Sequence, residues 1–163
     1  MATTKTKADL QTQARIRIFV SVLFGLSLVY IGWAYVPVRV PTSGDARDHL
    51  IFALRWLPLS LVPTIIGIQL VGRVRFRNID VAGVHTTSPV AEDLVRLRQR
   101  ALQNTLEQTA LHVPIMLALS TLLDTGYLKL VPVLVCVFVL GRLLYFVGYL
   151  FVGDQFARGP GFA

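Results

Sequence analysis

Residues 128–152 read LKLVPVLVCVFVLGRLLYFVGYLFV. After Lys129 this stretch holds a single charge, Arg142, and no acidic residue. Its length suits a helix crossing a hydrocarbon core of about 30 Å, which needs about 20 mostly apolar residues. One arginine at the centre of such a helix costs about 2.5–3.5 kcal/mol. It is therefore expected to face protein and to have a function.

Upstream, three more segments have comparable length. The first, residues 16–36, carries no charge after Arg17 and is ended by Pro37 and Pro41. The run is too long for the apolar part of a signal peptide, so a retained first helix is expected. The second spans residues 50–71, and Arg55 lies close enough to its start to snorkel outward. The third opens at Ser88-Pro89, a helix cap followed by proline at the first helical position. Glu92 and Asp93 then favour the positive end of the helix dipole. The pattern runs on to Leu123, about 45 Å at 1.5 Å per residue. The turns carrying Arg96, Arg98 and Arg100 should therefore project from the lipid, leaving a span at residues 93–123. The link from Asp124 to Tyr127 permits only an antiparallel hairpin with the fourth span, 128–152. The expected fold is an all-α integral membrane protein: a four-transmembrane-helix bundle in one domain, 1–163, with a basic loop at 73–92.

Composition agrees with this reading. Of 163 residues, 54% are hydrophobic and 15% charged, and the mean hydropathy is +0.62; soluble domains average about 25% charged residues. The net charge of +7 comes from cations clustered around 5–17 and 73–100. These flank apolar runs, which argues for cytoplasmic loops and against nucleic acid. The segment 38–49 balances Arg39 and Arg47 with Asp45 and Asp48. All four spans then agree on a multi-pass topology with both termini in the cytoplasm. The membrane would be the inner (plasma) membrane of a bacterium or an endomembrane of a eukaryote. The lone Cys136 permits no intrachain disulfide. No metal-ligand spacing, phosphate loop or nucleophile elbow is present.

The polar residues inside the spans carry the functional signal. Arg100, Asn104 and Glu107 are spaced four and three and share a helix side. Arg142, Tyr145 and Tyr149 are spaced three and four and do likewise. Counting inward from the cytoplasmic ends puts Glu107 and Arg142 at about the same depth, roughly 15 Å. The expected contacts are Glu107 with Arg142, Asn104 with Tyr145, and Arg100 with Tyr149. Such a seam is either a structural ion pair or a ligand site. The surplus of arginines, with Arg73 or Arg75 nearby, suits an anionic, carboxylate-bearing molecule. His112 reads as a hydrogen-bonded packing residue.

These two strings resemble a known family. Residues 100–107, RALQNTLE, look like the R-A-x-x-N-x-x-E signature of the MAPEG superfamily, membrane-associated proteins in eicosanoid and glutathione metabolism. Residues 141–149, GRLLYFVGY, look like its G-R-x-x-[HY]-x-x-x-Y string. The resemblance covers about residues 50–158. It implies a homotrimer with glutathione between subunits, open to the cytoplasm, and a lipophilic substrate entering from the membrane lipids. By motif position, Arg100, Asn104, Glu107, Arg142, Tyr145 and Tyr149 are the implied glutathione contacts, with Arg75 as a further basic contact. Arg158, nine residues past Tyr149, resembles the arginine that stabilises the thiolate in some branches. The pattern also departs from the family. The R-A-x-x-N-x-x-E helix is usually the second and is third here, and the helix expected after the tyrosine string is missing. Pro114 also lies about one turn late. The chain would have gained a leading helix, as in the non-catalytic mattrin-like branch.

The resemblance implies glutathione transferase or peroxidase chemistry at a subunit interface, with no covalent enzyme nucleophile. The alternative is a MAPEG-fold protein that binds lipid or a partner without catalysis. A transporter using Glu107 and Arg142 as a relay would need a water path, and a single seam offers little sign of one.

Overall fold

The computed structural model describes residues 7–79 and 89–151. Among these residues there are five α-helices: α1 Lys7–Tyr35, α2 Ala46–Trp56, α3 Val62–Arg77, α4 Pro89–Leu122 and α5 Leu130–Phe151. There are no strands among the described residues. Among the described residues three segments are long and apolar enough to cross a membrane: Ile18–Tyr35, Ala46–Arg77 and Thr125–Tyr149. The longest helix, α4, does not match their apolarity, because four cations and anions from Arg96 to Glu107 and the polar Gln108 and His112 lie along it.

The expected second span is two helices joined by a 3-10 segment, Leu57–Leu61. Pro58 and Pro63 are the cause. Neither has an N–H to donate, so the regular i→i−4 ladder fails twice within five residues and the chain tightens between them. The run also starts earlier than sequence spacing suggests. Asp45 caps α2 by accepting from the Arg47 amide at 3.1 Å. In α4, Pro114 lies inside the helix without ending it.

The helix α4 is packed against α2, α3 and α5, while α1 packs mainly on α5. The core forms three layers. Phe52, Ala53, Leu128 and Val131 close the end near the α4–α5 hairpin. Leu57, Met116 and Val135 fill the middle. Ala101, Phe146 and Tyr149 form the layer nearest the end of α3 and the start of α4. At the hairpin end, buried His49 places Nε2 3.1 Å from the Ser43 carbonyl and 3.4 Å from Thr125 Oγ1. It ties the segment after α1 to the turn before α5.

Two glycines mark the closest helix approaches. A Cβ on Gly67 would lie 2.9 Å from Leu102 Cδ1 and 3.0 Å from Phe146 Cζ, so the absent side chain lets α3 press on both α4 and α5. A Cβ on Gly32 would lie 2.7 Å from Val133 Cγ1, so α1 meets α5 there. Lys129 stands 5.2 Å over the Trp33 ring at the same contact. Small residues bring backbones together where lipid supplies no hydrophobic drive.

Candidate functional site

Arg142 lies midway along α5, where 3.6 residues per turn put Tyr145 and Tyr149 on its side of the helix. Its Nη2 donates to Asn104 Oδ1 at 2.8 Å and to Thr105 Oγ1 at 2.7 Å. The guanidinium carbon is 4.3 Å from the centre of the Tyr145 ring. That ring stacks on Tyr149 at 5.3 Å, with 28° between the planes. Of its remaining donors, Arg142 Nε is buried and has no partner among the described residues.

The α4 side of the site is built by back-bonding threonines. Thr105 donates to the Ala101 carbonyl at 2.9 Å, which leaves its oxygen to accept from Arg142. Thr109 donates to the Thr105 carbonyl at 2.8 Å. Its oxygen is 3.2 Å from Thr64 Oγ1, which makes Thr64 the donor and links α3 to the same ladder. These hydroxyls hold the helices together without leaving an unpaired polar group in an apolar setting.

Three of the expected residues, Asn104, Arg142 and Tyr145, are brought into direct contact, with Tyr149 stacked behind them. Others lie elsewhere. Arg142 does not meet Glu107, and Asn104 meets Arg142 instead of Tyr145. Glu107 is exposed and accepts from Gln103 Nε2 at 3.2 Å. Helix geometry explains the separation. At about 100° per residue, Glu107 points about 160° away from Thr105. Thr105 is fully buried toward the protomer core, so Glu107 must point out of the protomer. Arg100 lies close to Glu107 in helical angle and is also exposed. Counting residues from the helix ends fixes the depth of a Cα atom, not where a long guanidinium finishes.

Arg75 is exposed in the last turn of α3 and has no hydrogen bond or ion pair among the described residues. Arg158 lies outside the described residues. Sequence reasoning missed Thr105, the shortest hydrogen bond to Arg142. Its only signal was a hydroxyl residue beside Asn104 on an otherwise apolar helix side. His112 stacks on Phe138 at 4.0 Å with 8° between planes, and its Nε2 is buried without a partner among the described residues. Among the described residues no group of three or more His, Cys, Asp or Glu could hold a metal ion.

The arrangement is a guanidinium held from one side by an amide and a hydroxyl, backed by an aromatic face, with its Nε–H unused among the described residues. Such a group suits a carboxylate, since the bond is charge-assisted. No curated protein and no solved structure matches the chain. The family model described as the MAPEG family matches residues 53–163. That stretch begins within α2 and contains both motif helices, leaving α1 ahead of it, and on this match the chain belongs to the MAPEG family.

Proposed function

We propose that the protein is a multi-pass, four-span membrane homotrimer, with both termini in the cytoplasm. It binds glutathione or a similar anionic thiol at Arg142, and joins that thiol to a lipophilic molecule or uses it to reduce one. The observation carrying this reading is the buried, unpartnered Nε of Arg142, next to an Nη2 already fixed by Asn104 and Thr105.

In this reading the free N–H of Arg142 takes a carboxylate of the thiol ligand, and the stacked Tyr145–Tyr149 pair forms the wall beside it. Arg100 and Glu107 reach outward from the same stretch of α4 toward a neighbouring protomer. There Glu107 takes the ligand's ammonium group and Arg100 a second carboxylate. The protomer surface is rich in exposed apolar side chains, including Phe19, Phe24, Leu111 and Val147. Lipid and partner protomers would cover them. Catalysis would come from holding thiol and substrate together and from an arginine stabilising the thiolate. Arg158 takes that role by its position in the motif.

Thermal denaturation in mild detergent with millimolar glutathione tests this. The wild type should be stabilised, and Arg142→Gln should lose the shift. An intact trimer with no shift would favour a non-catalytic MAPEG-fold protein that binds lipid or a partner.

A further inference from the structure

The segment after α1 and one side of α2 line an open cavity of about 320 Å³, away from the Arg142 cluster. Its charged lining is Arg39, Asp48 and Arg55, and its apolar lining includes Val40, Ile51 and Phe52. Both arginines are exposed. Among the described residues neither makes a hydrogen bond or ion pair, and Asp48 pairs with neither of them. Two cations and one anion thus line one cavity without neutralising each other.

Depth fixes what could enter. A core of about 30 Å corresponds to about 20 helical residues. Counted along α1 from Arg17, 20 residues reach Pro37, two before Arg39. Counted back from Arg73, 20 residues reach Ala53, two past Arg55, so Arg55 lies just inside that limit. Arg39 therefore lies at the non-cytoplasmic headgroup level and Arg55 about 3 Å inside it, within reach by snorkelling, on the side where membrane proteins carry few cations. We propose that Arg39, Asp48 and Arg55 bind the headgroup of an anionic phospholipid of that leaflet. The two guanidinium groups hold its phosphodiester, Asp48 accepts from headgroup hydroxyls, and the acyl chains leave along Ile51 and Val40. The site's net charge of +1 complements a singly charged phosphodiester. Glycerol hydroxyls on that phosphate supply the donors Asp48 lacks. Apart from Arg55, the charged residues precede the segment matched to the family. The inference rests on the membrane topology proposed above and is independent of the thiol site.

Native mass spectrometry of the detergent-solubilised trimer tests it, using phosphatidylglycerol and phosphatidylcholine of identical acyl chains. The wild type should retain phosphatidylglycerol preferentially. Arg39→Gln or Arg55→Gln should weaken that binding about tenfold each, the loss of one charge-assisted contact, while helical circular dichroism is unchanged. Glycerol phosphate should not compete at concentrations that saturate with lipid. Equal retention of both lipids, or an Arg39→Gln/Arg55→Gln variant that keeps the preference, overturns the site. Full competition by glycerol phosphate makes it a soluble-phosphate site and overturns the lipid assignment. Alkaline carbonate extraction of membranes separates the causes of failure. Protein that stays in the pellet without lipid preference overturns this site alone. Protein that is released overturns the topology with it.

Discussion

Arg142 Nη2 donates to Asn104 Oδ1 at 2.8 Å, joining two residues 38 positions apart on the antiparallel helices α4 and α5. The contact lies beside the fully buried Thr105, which takes the second hydrogen bond of the same nitrogen. A charge in an apolar bundle is thus held by neutral partners. Among the described residues no carboxylate pairs with it.

Removing those partners should therefore be costly. Thr105→Val keeps the shape and deletes the acceptor, and should destabilise the protein by about 1–3 kcal/mol. Asn104→Ala should cost a similar amount. Reversible unfolding in mixed micelles would measure both. A double-mutant cycle between Asn104→Ala and Arg142→Gln should show coupling, because the residues touch.

Glu107 should behave differently in the two assembly states. In dissociated protomers, Glu107→Gln and Arg142→Gln should be additive within about 0.5 kcal/mol, since the two side chains share no partner. In the trimer with glutathione they should be coupled, because both then hold one ligand. Ligand-dependent thermal shifts of the single and double variants distinguish the cases. Coupling in the isolated protomer would contradict the geometry described here.

Gly67 offers a packing test. Gly67→Val would push into Leu102 and Phe146, which already stand about 3 Å from the missing Cβ. Overpacking of this kind costs about 1–3 kcal/mol. It should loosen α3 from α4 and α5 and shift Arg142 with it. Leu102→Ala should recover part of the loss, measured by unfolding midpoint and glutathione affinity together.

Gly32 tests whether α1 is a separable addition. Gly32→Val should undock α1 from α5 at Val133, and Val133→Ala should partly restore docking. Disulfide trapping between cysteines introduced on facing positions of α1 and α5 would report it. Glutathione binding should persist in the undocked variant, because no α1 residue contacts Arg142 among the described hydrogen bonds and ring contacts.

Topology is the most direct test. Cysteine introduced at Ser43 should react with impermeant reagent only from the non-cytoplasmic side, and at Ser88 only from the cytoplasmic side. Labelling of Ser43 from the cytoplasm alone would reverse the orientation.

Much was determined by the sequence alone. Apolar runs of membrane-spanning length, the short Asp124–Tyr127 hairpin and the clustering of cations are one-dimensional properties, so an all-helical chain with long apolar helices could be read directly. The two motif strings pointed to the family by resemblance, and their spacing places each set on one side of a helix. Only the tertiary structure decided which of those residues meet. Helical periodicity gives a side relative to its own helix, but not the rotation of that helix against its neighbours. Burial of Thr105 and Thr109 sets the rotation of α4, and that rotation turns Glu107 outward and brings Asn104 to Arg142. The 3-10 segment at Leu57–Leu61 and the facing of Arg39 and Arg55 across one cavity also depend on packing. Contacts between segments distant in the chain arise when side chains compete for the same interior, a competition that spacing along one helix does not record.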